Sequence, residues 1–164
     1  MEALKARGSG SPTADCYTNQ GTVKVISKTI TVKTSERMEL VNLSHEIRAL
    51  AEASGVKDGY IQVSSLHTTA GLLVNEWQDA LLTDIKAMLE QIVPRNTYYK
   101  HNDPEFSDCD RNNADSHLRN VVLGHSMSIP ISQGRVVLGR WQSVILAEFD
   151  GPNQRNVFLQ VFGI

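Results

Sequence analysis

Histidine is the residue type in this sequence best suited to chemistry, because neutral imidazole binds zinc-like ions and titrates near neutral pH. The chain has five histidines. His45 falls inside an amphipathic helical pattern, which predicts a place on the polar face of that helix. The other four are His67, His101, His117 and His125. They follow a strand, lie in a long loop or lie on or beside a short helix, and binding groups project from such positions.

Three converging histidines would form a metal site without cysteine. That ligand set is typical of catalytic zinc, which keeps one coordination position open for water or substrate. The histidines do not form a short motif such as HExxH, so the alternative that they are unrelated polar residues stays open. Calcium is not indicated, because the loop that opens at Asp108 has Asn113 and Arg119 where a calcium loop needs glycine and glutamate.

Other residues suggest how a substrate would be held. Hydroxyl side chains surround His67 in the segment 65–69, and such a cluster either holds a phosphate or water or caps the end of a strand. Arg140 offers a guanidinium suited to phosphate, and Trp141 offers a ring that stacks on a heterocycle or packs in the core. Glu148 stands in an apolar run, where a carboxylate faces solvent or is paired near a site.

The hydrophobic pattern predicts the elements that position these residues. Alternating apolar residues predict strands from Thr22 to Val32, at Tyr60–Leu66 and at Leu72–Val74. Helical spacing predicts two main helices and one short helix, at Leu43–Ala51, Leu81–Ile92 and Ala114–Leu123. Four further strands between Ser126 and Phe162 predict a β-meander joined by turns at Gln133-Gly134 and Asp150-Gly151-Pro152. The fold class is therefore α+β, with an antiparallel β-rich core. Residues 95–111 show neither the helical nor the strand period, which predicts a functional or mobile loop.

Length and composition predict a single compact domain. The chain has 164 residues, a net charge of −2 and two cysteines far apart in sequence. These values favour a soluble cytoplasmic protein that binds neither nucleic acid nor membrane. Residues 1–20 are rich in Gly, Ser, Pro and Thr and predict a flexible N-terminal tail, with the folded domain at 21–164.

The order of five motifs resembles the YjbQ family over about Thr22 to Gly163. These motifs are His67-Thr68-Thr69, Val74-Asn75-Glu76, His101-Asn102-Asp103, Ser116-His117-Leu118 and Leu138-Gly139-Arg140-Trp141-Gln142, followed by Glu148-Phe149-Asp150-Gly151-Pro152. His125 lies outside the family pattern and is ranked fourth as a ligand. In the family pattern a basic residue comes sooner after the Gly-Pro pair, whereas here Asn153 and Gln154 stand between that pair and Arg155. The resemblance therefore assigns no role to Arg155.

The resemblance implies a compact α+β homotrimer with a histidine-lined metal site, and family members are often labelled secondary thiamine-phosphate synthases. It assigns His67, His101 and His117 to a divalent metal, with zinc expected and magnesium the alternative for a pyrophosphate substrate. Glu76 is then the catalytic carboxylate. The expected substrate-binding residues are Thr68, Thr69, Asn75, Arg140 and Trp141.

Three functions use this set of residues. The first is a transferase that joins a pyrimidine pyrophosphate to a thiazole phosphate, in which a metal and Arg140 stabilise the charge on the leaving pyrophosphate. The second is a trimeric binding protein for a small phosphorylated or heterocyclic ligand. The third is a metal-dependent hydrolase with Glu76 as the base. The sequence alone does not separate them.

Overall fold

The structure, a computed structural model, describes residues 17–164. Most of the predicted tail therefore lies outside the described residues, as does Cys16. The last four residues of that tail, Tyr17–Gln20, are exposed and have no regular secondary structure. The Tyr17 hydroxyl donates a hydrogen bond of 2.9 Å to Asp58 of the folded domain.

The described chain contains both predicted main helices, the short helix and a set of antiparallel strands, so the α+β class is confirmed. The elements are β1 Lys24–Lys33, β2 Glu39–Asn42, α1 Ser44–Ser54, β3 Gly59–Ser65, β4 Ala70–Asn75, α2 Asp79–Ile92, α3 Ala114–Leu123, β5 Ser126–Ser132, β6 Arg135–Val136, β7 Ser143–Glu148 and β8 Gln154–Gly163. The predicted helices end as expected: Gly55 closes α1 in the left-handed conformation, and Pro94 follows the end of α2. None of the helices in residues 17–164 is long and apolar enough to cross a membrane.

The strands form two antiparallel sheets. One has the order β1-β8-β3-β5-β6 and the other the order β2-β7-β4. The predicted β-meander is therefore wrong, because β5 and β6 form a hairpin whereas β7 and β8 join different sheets. The burial patterns give the reason. From Val144 onward every residue of β7 is buried, as in a central strand covered on both faces, whereas β8 alternates between buried and exposed.

Alternate residues of β7 contribute to two hydrophobic cores. Val144 and Leu146 face the core between the two sheets, which α1 also covers. Ile145 and Ala147 face the opposite way and pack against α2. The three-stranded sheet is thus the middle layer between the five-stranded sheet and α2. Polar residues of this middle layer therefore reach solvent at the ends of its strands.

Candidate functional site

Two of the predicted metal ligands lie side by side. His117 is in the first turns of α3, and His101 lies in a 3-10 turn, Lys100–Asn102, within the long loop. Their ring centres are 5.0 Å apart and their planes are nearly perpendicular, at 88°. The Asn102 Oδ1 accepts a 3.0 Å hydrogen bond from the backbone N–H of Ala114, which fixes the loop against the start of α3. The two histidines, which are distant in sequence, are thereby neighbours in the structure.

A pocket of about 390 Å³ opens beside this histidine pair. Besides the two imidazoles it is lined by Tyr99, Lys100, Ala114 and Leu118. The Lys100 ammonium also lies 5.2 Å from the centre of the Phe106 ring. The pocket therefore combines two imidazoles, the Lys100 side chain and apolar walls, which together suit a small ring that carries a negative group.

Burial lowers the pKa of His117, and the neighbouring His101 lowers it further. Asp150 and Asp115 act in the opposite direction, raising the pKa by smaller amounts. His117 is therefore neutral at pH 7, the form in which an imidazole nitrogen has a free lone pair for a metal ion or a substrate proton.

The spacing of the pair fits a shared metal ion. Two imidazoles bound to one tetrahedral ion through bonds of about 2.0–2.1 Å hold their ring centres about 5 Å apart. The observed separation of 5.0 Å meets this requirement, and it is equally the separation of two rings in edge-to-face contact. No set of three or more His, Cys, Asp or Glu side chains in residues 17–164 is placed to hold a metal. Within residues 17–164, this pocket therefore contains two candidate ligands, His101 and His117, and no third one beside them.

His67, the third predicted ligand, lines a different pocket, past the end of β3. Its Nε2 accepts a 2.8 Å hydrogen bond from the backbone N–H of Asn156. Burial lowers the pKa of His67, and the charge of Arg155 lowers it further, against a smaller opposing effect of Glu148. The ring is thus neutral with its proton on Nδ1, and the Nε2 lone pair is occupied.

A buried ion pair lies behind His67. Arg155 on β8 donates to both carboxylate oxygens of Glu148 on β7. It also donates to the Thr69 hydroxyl at 3.0 Å. The sequence left open whether Glu148 faces solvent or is paired, and the structure shows that it is paired. The ion pair also links the two sheets, because Arg155 lies on β8 and Glu148 on β7. The apolar run around Glu148 was the only sequence signal that a buried cation must face it.

The polar face of α3 is buried in a second ionic network, which the sequence did not reveal. Asp115 and Arg119 are fully buried and pair with each other at 3.3 Å. Arg37 extends from the loop before β2 and pairs with Asp115 at 3.2 Å and with Asp150 at 3.1 Å. These pairs fix the helix that carries His117, so they position the histidine without contacting the pocket.

The remaining predicted site residues divide between the two ends of β4. This strand starts at Ala70, which pairs with Glu148, and ends at Asn75, which pairs with Ser143. At about 3.4 Å per residue, its two ends are about 17 Å apart. Asn75 and Glu76 therefore share one end of the sheet, whereas Thr68 and Thr69 share the other end with His67.

Arg140 and Trp141 precede β7 and so lie at the Asn75 end of the sheet. The guanidinium carbon of Arg140 is 4.7 Å from the centre of the Trp141 ring. Trp141 is 62% exposed, so it is not a core residue. Within one chain, the structure does not bring this cation–π pair or Glu76 together with the histidines.

Comparisons with known proteins agree with the motif order. A family model described as UPF0047 protein YjbQ-like matches residues 28–164. The UPF0047 protein of Methanothermobacter thermautotrophicus is 39% identical over 141 residues, which span 86% of this chain and 94% of that protein. YugU of Bacillus subtilis is 28% identical over 137 residues, 83% of this chain and 98% of that protein.

Solved structures show the same fold. The crystal structure of a YbjQ-like protein of unknown function from Sulfolobus solfataricus has a TM-score of 0.82 at 30% identity, and the match covers 87% of this chain and 100% of that chain. A hypothetical protein from Aeropyrum pernix has a TM-score of 0.77 at 32% identity, covering 84% of this chain and 98% of that chain. The chain therefore belongs to the YjbQ (UPF0047) family, as its motifs predict.

Proposed function

We propose that this protein is a cytoplasmic, homotrimeric, metal-dependent enzyme with thiamine-phosphate-synthase-like activity. The observation that supports this proposal is the pocket lined by Lys100 and by two imidazoles 5.0 Å apart, of which His117 is neutral. A divalent ion bound by His101 and His117, with zinc expected, would stabilise the negative charge that develops on a leaving pyrophosphate. In this proposal Lys100 binds a phosphate of the substrate, and Tyr99 and Leu118, which also line the pocket, contact its ring.

His67 is the third ligand in this proposal, and its hydrogen bond gives the proposal a specific consequence. The ring has to release the backbone N–H of Asn156 before its Nε2 can bind an ion. Metal loading should then expose this amide, which is measurable as faster hydrogen exchange at Asn156. An unchanged exchange rate would exclude the Nε2 atom of His67 as the third ligand.

The homotrimer is supported by the reversed polarity of α3. The helix buries its charged residues Asp115 and Arg119 and exposes the apolar residues Leu118, Val121 and Val122. Val121 is 78% exposed. Because Leu118 also lines the histidine pocket, a neighbouring subunit seated on this face would form part of the pocket wall. In such a trimer, the Arg140–Trp141 pair of one subunit can approach the histidines of a neighbouring subunit.

The substitution Val121→Asp tests this contact. A charge in a buried apolar contact has a large desolvation cost, so we expect the trimer to dissociate, with the measured mass falling towards that of one chain. The mass is measured by light scattering after gel filtration. The matched control is Val25→Asp, since Val25 is also exposed but lies on β1, the edge strand of the five-stranded sheet opposite β6. A wild-type monomer, or a Val121→Asp trimer as stable as the wild type, would contradict the proposed interface.

Activity is tested with tag-free protein loaded with zinc or magnesium and supplied with hydroxymethylpyrimidine pyrophosphate and thiazole phosphate. We expect thiamine phosphate to form and the formation to stop after metal removal. The absence of product at every metal loading would contradict the transferase. The variant Glu76→Gln should keep the metal and lose turnover if the carboxylate transfers a proton. Unchanged turnover would remove that role from Glu76.

The second candidate function is a small-ligand binding protein. The separation of Glu76 from the histidines within one chain favours it, because a pocket without an acid or base can bind a phosphorylated heterocycle without turning it over. Saturable binding of thiazole phosphate without product would support this function over the transferase.

A further inference from the structure

A second pocket, of about 290 Å³, lies where β3 ends and α3 ends. It is separate from the pocket of the His101–His117 pair and shares no lining residue with it. Its polar lining residues are Ser65, His67, Thr68, Asn120 and His125. None of the residues that line it is a carboxylate.

Ser65 is the most informative residue of this pocket. It is the last residue of β3 and points to the same inner face as Ile61 and Val63, so it is only 4% exposed. Its backbone N–H donates a 2.8 Å hydrogen bond to the carbonyl of His125, which holds that histidine at the pocket. Its hydroxyl, however, has no hydrogen-bond partner among residues 17–164. A buried hydroxyl without a partner is costly, and nearly all such groups in proteins are satisfied.

Asn120 presents a second buried polar atom without a partner. Its Oδ1 is buried and has no hydrogen-bond donor among the described residues. The two residues belong to different elements, β3 and α3, and both line this pocket. A ligand with several oxygen atoms, at least one of them protonated, would satisfy both atoms at once, as donor to Asn120 and as acceptor from Ser65.

The hydrogen-bond donors at the pocket favour an anionic ligand. His67 accepts at Nε2 and so carries its proton on Nδ1, which is free to donate. The hydroxyl of the exposed Thr68 is a further donor. Together with Ser65 and the imidazole of His125, these groups form a set of hydrogen-bond donors of the kind that bind oxyanions.

The nearest buried charges also favour an anion. Arg155 donates to the hydroxyl of Thr69, next to Thr68 in sequence. The carboxylate of Glu148 is occupied from the other side by the hydroxyl of Thr34 and by two backbone N–H groups, those of Phe149 and Asp150. At His67, which lines the pocket, the charge of Arg155 has a larger effect than the opposite charge of Glu148.

We infer that this second pocket binds a phosphoryl group, as free inorganic phosphate or as a small phosphate monoester. The inference shares His67 and Thr68 with the proposed function, but it requires neither a metal nor a transferase activity. Ser65, Asn120 and His125, which complete the pocket, lie outside the family motifs. A monohydrogen phosphate carries both the acceptor oxygens and the donor O–H that the pocket lacks.

The test is calorimetric titration of metal-free wild-type protein with inorganic phosphate and, separately, with methyl phosphate. We expect saturable binding of one ligand per chain. Tighter binding of inorganic phosphate would identify the free anion as the ligand, and tighter binding of methyl phosphate would identify a phosphorylated small molecule. Ser65→Ala should weaken the binding by about tenfold or more, because it removes a hydroxyl that bonds a charged group. Ser64→Ala is the matched control, since Ser64 is the neighbouring residue on the outer face of β3.

Stability provides the second measurement. Because the Ser65 hydroxyl has no partner in the protein, Ser65→Ala should leave the melting temperature unchanged or raise it. Binding should also survive His117→Ala, which separates this site from the histidine pair. No saturable binding of either ligand, or Ser65→Ala protein that binds as tightly as the wild type, would overturn the inference.

Discussion

Replacing Arg155 with alanine is expected to lower the free energy of unfolding by about 3–5 kcal/mol, because it leaves the buried carboxylate of Glu148 without its cation. Glu148 is fully buried, and the Arg155 side chain is 5% exposed. Water therefore cannot replace the lost partner. Thr34 and two backbone N–H groups still donate to Glu148, which keeps the expected loss within this range.

The same substitution removes the ionic link between the two sheets. Glu148 belongs to β7 in the middle layer, and Arg155 belongs to β8 in the five-stranded sheet. Its loss should also displace Thr69, whose hydroxyl bonds Arg155, and the neighbouring backbone of Asn156, which holds the His67 ring. We therefore expect the NMR signal of the His67 ring to shift together with the fall in stability.

Urea unfolding followed by circular dichroism measures the change in free energy. Arg111→Ala is the matched control, since Arg111 pairs with Asp150 but is 54% exposed. It should cost less than about 1 kcal/mol. If Arg155→Ala does not fold, Arg155→Lys keeps the charge while losing the two-pronged geometry, and it should give an intermediate loss. Equal effects of Arg155→Ala and Arg111→Ala would contradict this account.

The second large effect is expected at His117. His117→Ala removes one of the two imidazoles whose centres lie 5.0 Å apart, so the zinc affinity should fall by about tenfold or more. Elemental analysis after gel filtration measures the metal per chain, and zinc titration measures the affinity. We expect about one ion per chain in the wild type at zinc saturation.

His45→Ala is the control for His117→Ala. His45 is exposed on α1, a helix that lies away from the histidine pocket. It should keep the wild-type metal content. The folding of both variants is compared by circular dichroism, so that a loss of metal is not confused with a loss of structure. Equal zinc affinity in His117→Ala and wild-type protein would contradict a metal site at this pair.

The sequence by itself was sufficient for the class of the fold and for the local elements. Leu43, Ile47 and Ala51 recur at helical spacing, and Gly55 ends that helix as predicted. The helix at 114–123 also has the predicted bounds. These features depend on neighbours within a few residues, and local periodicity records such neighbours directly.

Strand pairing could not be predicted in the same way. The turn at Asp150-Gly151-Pro152 indicated a hairpin, yet the chain there passes from one sheet to the other. The fully buried β7 needs cover on both faces, and that cover comes from residues more than 50 positions away in α2 and β3. A local pattern contains no information about which distant element supplies the cover.

For the candidate site, too, the sequence determined one part and the tertiary structure the other. The sequence identified the residue types, and the family motifs identified His101 and His117, which the fold brings together. The place of Arg155, the buried charges of α3 and the orphaned hydroxyl of Ser65 were decided only by the tertiary structure. Burial turns an ordinary polar side chain into one that must find a partner, and burial is a property of the packed chain rather than of its local sequence.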